Sequence, residues 1–172
     1  MADNEATTQS PFGTYADWIE LFNTGNRSVD LGGMYLTDNP ANLTWQFPAE
    51  TMIEPNSFLL VWADGDTQLG PLHADFRLSA NGETVALVAD DGMTLIDFVQ
   101  FDKQLRDVSY GRSPDGGSDW KYLTRPTAGK PNVENARADF SADWPVWLFI
   151  ALALVACILV VLFDRIHARN EK

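Results

Sequence analysis

The sequence has few of the residues that form cross-links or bind metals. It contains one cysteine, Cys157, so no disulfide can form within the chain. Outside the C-terminal tail His73 is the only histidine, and no cysteine lies near it. A zinc site needs about four such ligands in close array. The sequence therefore predicts neither a metal nor another cofactor.

Basic residues are also scarce. The chain of 172 residues has 12 Lys and Arg against 24 Asp and Glu, which is a formal net charge of −12. Such a surface is repelled by the phosphates of nucleic acids and by anionic lipid headgroups. Nucleic acid is thus excluded as a partner.

The common sequence signatures of catalysis are missing. No G-x-S-x-G elbow, P-loop or G-x-G-x-x-G motif occurs, and no spacing of Ser, His and Asp indicates a triad. Asp64-Gly-Asp66 and Asp90-Asp91-Gly92 could be considered for calcium, but neither fits the twelve-residue calcium loop. We interpret both as turns, and the chain as a non-catalytic protein.

What the sequence does contain, up to residue 124, is a series of short apolar runs separated by turn residues. Pairs such as Asn81-Gly82 and Asp91-Gly92 accept the backbone angles of tight hairpin turns. Many short strands at this spacing predict a β-sandwich or barrel. The predicted strands are 18–23, 29–36, 44–47, 58–63, 74–78, 84–88, 94–99, 108–111 and 120–123. The aromatic residues in these runs are predicted to lie in the core.

One long apolar run lies near the C-terminus. Residues 144–163 read WPVWLFIALALVACILVVLF, twenty positions without a charge. A helix of this length spans about 30 Å, the thickness of the hydrocarbon core of a bilayer. A buried helix of a soluble protein would carry a polar stripe, which is absent here. The run therefore predicts a single transmembrane helix, with the lipid bilayer as one partner.

The residues around this run predict its orientation. Trp144 and Trp147 are expected at one membrane interface, and Arg165 and Arg169 follow the helix at the other. By the positive-inside rule the basic tail lies in the cytoplasm and the β-rich domain outside. The polar start of the chain does not resemble an export signal, so a tail-anchored protein with a cytoplasmic domain is the alternative.

An ordered set of motifs resembles the lamin-tail domain family. Asp17–Asn23 (DWIELFN) is similar to its opening WIELYN strand, and Val29–Asp38 (VDLGGMYLTD) to its VDLSGWYLSD. Further similar segments follow in order: Trp45–Pro48, Ile53–Trp62, Leu72–Ser79, Asn81–Glu83, Ser109–Arg112, Pro114–Gly116 and Pro126–Asn132.

The resemblance implies an all-β, immunoglobulin-like β-sandwich that binds or scaffolds rather than catalyses. The predicted divisions are an N-terminal segment 1–16, the sandwich 17–124, a linker 125–143, the transmembrane helix 144–163 and a basic cytoplasmic tail 164–172.

The start of the chain departs from the family pattern. Met1–Asn4 matches only the end of the family's first strand, so we expect that strand to be absent or to lie upstream. A sandwich without an edge strand has unpaired backbone groups that can pair with a strand from elsewhere.

These observations predict an accessory subunit that docks on the extracytoplasmic face of a larger membrane complex, for example a respiratory or photosynthetic one. A cell-surface adhesin or ligand-binding module is the first alternative. A hydrolase is a weaker one, because no group of residues supports it.

Overall fold

Short β-strands joined by turns build the part of the chain that the computed structural model describes, residues 1–133. Apart from one 3₁₀ turn, Thr67–Leu69, these residues contain no helix. The predicted all-β class is therefore confirmed for this part. The strands are β1 (Trp18–Phe22), β2 (Val29–Asp30), β3 (Tyr35–Thr37), β4 (Met52–Ile53), β5 (Phe58–Trp62), β6 (Glu83–Val88), β7 (Leu95–Phe101), β8 (Ser109–Arg112) and β9 (Trp120–Leu123).

All the strand pairs are antiparallel. β1 pairs with β5, β2 with β4, and β8 with β9, while β6 lies between β3 and β7 in a three-stranded sheet. In the described part of the chain no ladder joins β1 or β7 to β8. These strands therefore each have an edge that lies outside the ladders.

The hairpin of β6 and β7 is the clearest agreement between sequence and structure. Its turn is closed by a hydrogen bond from the Ala89 amide to the Thr94 carbonyl (2.8 Å). The Asp91 carboxylate accepts hydrogen bonds from the amides of Met93 and Thr94, and Gly92 has a φ of +68°. An Asp-Gly pair supplies both features, as predicted.

The predicted strand 29–36 is instead two strands, because the chain turns in its middle. The Asp30 carboxylate accepts from the Gly32 amide, and the Met34 amide donates to the Leu31 carbonyl. Gly33 has a φ of +80°, which only glycine adopts easily. The two glycines thus end β2 and redirect the chain into β3.

Two other predicted strands, 44–47 and 74–78, are not regular strands. Each makes only an isolated bridge, Gln46 with Tyr35 and Arg77 with Asp64. Their apolar residues are buried all the same, because they fill the space between the ladders. The two-residue β4 was missed, since so short a strand has no readable alternation.

The main core lies between the β1–β5 ladder and the β3–β6–β7 sheet. It includes Leu36, Phe47, Val61 and Val85, all buried, with Leu21 packed against them. Most of the aromatic residues expected in the core are there: Trp18, Trp45, Phe47 and Trp62 are buried, and Phe22, Tyr35 and Phe58 are half-buried.

All nine strands of the described part lie within the predicted sandwich, 17–124, but the compact unit that contains them is larger and includes all of residues 1–133. At one end Met1 and Ala2 are buried. At the other, Ala128 packs against the second apolar cluster, formed by Met1, Trp18 and Trp62.

Among residues 1–133 no helix is long and apolar enough to cross a membrane. The predicted transmembrane helix, 144–163, lies outside the described residues, as do Trp144, Trp147, Arg165 and Arg169. These predictions therefore stay predictions.

Candidate interaction surfaces

A buried histidine lies beside a carboxylate in the loop that follows β5. His73 Nδ1 is 2.6 Å from Asp64 Oδ2, and Phe12 and Trp62 contact the imidazole with their rings. No serine or threonine hydroxyl of residues 1–133 is hydrogen-bonded to this imidazole. Asp64 also accepts from the Asp66 amide. The pair therefore ties the loop to the end of β5.

The other acidic groups considered for calcium also have local roles. Asp66 caps the 3₁₀ turn by accepting from the Gln68 amide, and Asp91 closes the β6–β7 turn. In the described part of the chain, no group of three or more His, Cys, Asp and Glu side chains could hold a metal ion.

An exposed apolar surface runs along β7. Met93, Leu95, Ile96 and Phe98, which we call the β7 ridge, are 84%, 51%, 48% and 54% exposed. The same strand continues into residues that pack on the core. An uncovered run of large apolar side chains on one strand marks a surface suited to binding a partner.

A groove of about 590 Å³ opens between β1 and β8. Core residues form its floor, among them the buried Leu31, Ile53 and Val85 and the half-buried Val99 and Phe101. Every residue of β1 and of β8 lines it. The interior of the sandwich is therefore accessible along the gap between these two strands.

The wall formed by β1 has unpaired backbone groups. Residues of a paired strand point their N–H and C=O groups alternately to its two edges. The backbones of Asp17 and Asn23 bond to the two residues that flank β5, Ala63 and Ser57. The backbone groups of Trp18, Glu20 and Phe22 therefore point to the opposite edge of β1. Among residues 1–133, Trp18 alone of these three has a backbone partner at this edge: its amide donates to the Met1 carbonyl (3.1 Å), and its carbonyl accepts from the Met1 ammonium (2.8 Å).

The facing wall is similar. The Ser113 amide bonds across the hairpin to Asp119, so Tyr110 and Arg112 point their backbone groups toward the groove. The Arg112 carbonyl accepts from the Asn132 side chain, whereas the Tyr110 backbone has no partner among residues 1–133. The groove thus lies between two open strand edges.

Acidic side chains line one face of this groove. Burial raises the pKa of Glu20 from its ordinary 4.5 to about 7, against the opposing effect of the Gly129 amide, which donates to its carboxylate. Asp115 raises it further by charge repulsion. Burial lowers the pKa of the Met1 ammonium from 8.0 to about 6.

Replacing Glu20 with glutamine should make the stability of the fold fall less steeply as the pH rises from 4.5 to 6. In this range folded Glu20 keeps its proton while the unfolded chain releases it, so stability falls as pH rises toward the folded pKa of about 7. The Met1 ammonium has the opposite effect on stability, but it acts between about pH 6 and pH 8 and so does not contribute between pH 4.5 and pH 6.

Thermal unfolding at several pH values measures the effect. Asp17 and Glu83 also have raised pKa values, so Glu20→Gln should reduce the slope without removing it. Glu50→Gln, at an exposed position, is the control and should keep the wild-type slope. Equal slopes for Glu20→Gln and wild type would contradict the raised pKa.

A comparison with protein families confirms the resemblance found in the sequence. The family model of the lamin tail domain matches residues 1–103, more than half of the chain. The chain belongs to the lamin tail domain family. Neither the curated proteins nor the solved structures gave a match.

In this lamin tail domain, the family match covers Met1, β1 to β7 and the β7 ridge, while β8 and β9 lie beyond it. Neither the ridge nor the groove was identified from the sequence. The ridge had a signal, since Leu95-Ile96 and Phe98-Val99 interrupt the alternation of a strand with one covered face.

Proposed function

We propose that the protein is a non-catalytic, membrane-anchored interaction module. It docks on the extracytoplasmic face of a larger membrane complex as an accessory subunit, with residues 144–163 as its anchor and its C-terminus in the cytoplasm. The β7 ridge carries this proposal. The lamin tail domain family supports a binding role, because its fold is a scaffold that displays surfaces.

The chemistry of the ridge indicates what covers it. Phe98 and Ile96 lie two residues apart on β7, beside a β-bulge in its pairing with β6, and both side chains are about half exposed. Aromatic and large aliphatic side chains supply most of the binding energy at protein interfaces. A protein surface with a complementary apolar patch is therefore the expected partner.

Replacing Ile96 and Phe98 together with serine should remove a partner that co-purifies with the full chain in mild detergent. We expect at least about a tenfold loss of its yield, because two exposed anchors contribute more than the 1.4 kcal/mol that tenfold requires. Phe12→Ser is a matched control, since Phe12 and Phe98 are both 54% exposed. Quantitative mass spectrometry of the purified material measures the loss.

Two results would reject the proposal. One is a wild-type chain that is monomeric in detergent with no stoichiometric partner. The other is a partner that the double variant retains at the wild-type level. A partner found on a neighbouring cell, or a polysaccharide, would instead support the adhesin alternative.

A further inference from the structure

The β7 ridge begins at the β6–β7 turn, and the charges at that end indicate what covers it. We infer that the ridge binds a protein segment in which lysine or arginine adjoins an apolar patch, with the basic side chains placed against the Met93 end. The inference rests on the proposed function and deepens it, because it specifies the chemistry of the partner.

The hairpin that carries the ridge has acidic side chains and no basic ones. Residues 78–102 contain five Asp and Glu and no Lys or Arg. Asp97, in the middle of the ridge, is paired with Arg112 at 2.7 Å. Asp102, at the far end, is adjacent to Lys103. Along the ridge, the uncompensated negative charge therefore lies at the turn.

Two carboxylates stand at this turn, those of Asp90 and Asp91. Both residues are exposed, close to Met93, which is 84% exposed, and neither forms a salt bridge within residues 1–133. The Asp91 carboxylate is fixed, because it accepts from Thr94 Oγ1 (2.6 Å) and from the Met93 and Thr94 amides. These hydrogen bonds, first of all that of the Thr94 hydroxyl, lower the pKa of Asp91 below its ordinary 3.8. A fixed, charged carboxylate beside an exposed apolar side chain suits a basic side chain of a partner.

A third carboxylate approaches the turn from another part of the chain. The side chain of Leu43 lies close to Gly92, in the middle of the turn. Thr44 follows Leu43 and donates from its hydroxyl to the Asp75 carboxylate (3.2 Å). No basic side chain in the described part of the chain forms a salt bridge with Asp75. Asp75 thus adds to the negative charge at the Met93 end of the ridge.

Charge also separates this partner from two other occupants of an apolar surface. A second copy of the chain would bring another net charge of −12 and the same acidic hairpin. An anionic lipid surface would be repelled by Asp90 and Asp91. A protein segment with basic residues instead gains from the apolar side chains and from the carboxylates together.

Photo-cross-linking in intact membranes tests which of these covers the ridge. The probe is the full chain with p-benzoylphenylalanine in place of Met93. We expect an adduct with another protein, and chymotryptic mapping should place it in a segment with more Lys and Arg than Asp and Glu. The same label in place of Phe12, which is exposed but outside the ridge, should not give this adduct.

Charge reversal, with co-purification of the cross-linked partner as the readout, provides the second arm. Asp75→Lys together with Asp90→Lys should lower the yield of the partner at least about tenfold at low salt, because like charges then face each other. Raising NaCl from about 0.05 to about 0.5 M should lower the wild-type yield and raise that of the variant, since salt screens attraction in one and repulsion in the other. Glu50→Lys with Glu54→Lys makes the same change of net charge at exposed positions that flank β4, and it should behave like the wild type.

Several results overturn the inference. These are no adduct, an adduct with lipid or with a second copy, an adduct in a segment where acidic residues predominate, and a charge-reversed variant with the wild-type yield. Tryptophan fluorescence checks that the variant is folded. If it is not, the wild type decides, and a wild-type yield that does not fall with salt overturns the inference.

The serine variant of the ridge separates this inference from the proposed function. If Ile96→Ser with Phe98→Ser loses the partner while the charge-reversed variant retains it, the partner has no basic segment at the turn. The inference is then wrong and the proposed function stands. If both variants retain the partner, both are wrong.

Discussion

Replacing Phe47 with alanine should lower the free energy of unfolding by about 3–5 kcal/mol. Phe47 is 2% exposed, belongs to the main core and packs edge-to-face on Trp45 with ring centroids 4.8 Å apart. The substitution leaves a cavity between the two layers that the surrounding ladders cannot close. Urea unfolding of the full chain in detergent, followed by tryptophan fluorescence, measures the change.

The matched control is Phe98→Ala, which removes the same ring from a position that is 54% exposed. It should change stability by no more than about 0.5 kcal/mol. Similar losses for both variants would show that Phe47 does not lie in a packed core. The comparison also separates folding from binding, because Phe98 belongs to the β7 ridge.

Deleting residues 144–163 should move the protein entirely from the membrane fraction to the soluble one. The reason is that twenty apolar residues buried in a bilayer bind it far more strongly than the acidic remainder of the chain can. The domain itself should remain folded, since all nine strands and their core lie within residues 1–133. Carbonate extraction of membranes, followed by detection of the protein in pellet and supernatant, measures the result.

Deleting 164–172 instead provides the control, because it removes the basic tail and keeps the apolar run. That variant should stay in the pellet. If the protein without 144–163 also stays there, the β-rich domain attaches to the membrane by another route and the anchor assignment is wrong.

Much of the fold could be predicted from local pattern alone. The predicted bounds of β5, β6, β7 and β9 lie within two residues of the observed ends, and the Asp91-Gly92 turn was identified together with its strands. These elements have strong local signals, namely short apolar runs bounded by residues that accept turn angles. The order of motifs from Asp17 onward is sufficient by itself to indicate the lamin tail domain family.

Other elements depended on contacts between distant parts of the chain. The runs at 44–47 and 74–78 have the composition of strands, but in the folded domain each forms only an isolated bridge with a distant segment. The two ends of the described part are similar cases. Met1 and Ala128 lie in mostly polar segments outside the predicted strands, and yet both pack in the cluster that contains Trp18. Local composition does not encode such neighbours.

The sequence by itself determined the all-β class, the acidic charge and the apolar run at 144–163, because each follows from composition or from spacing along the chain. Its ordered motifs carried the family resemblance. The tertiary structure alone decided that β7 leaves apolar side chains uncovered and that β1 and β8 face each other across an open groove. The first feature depends on which face of β7 other elements cover, and the second on which strand edges stay outside the ladders. Both are relations between segments that lie far apart along the chain.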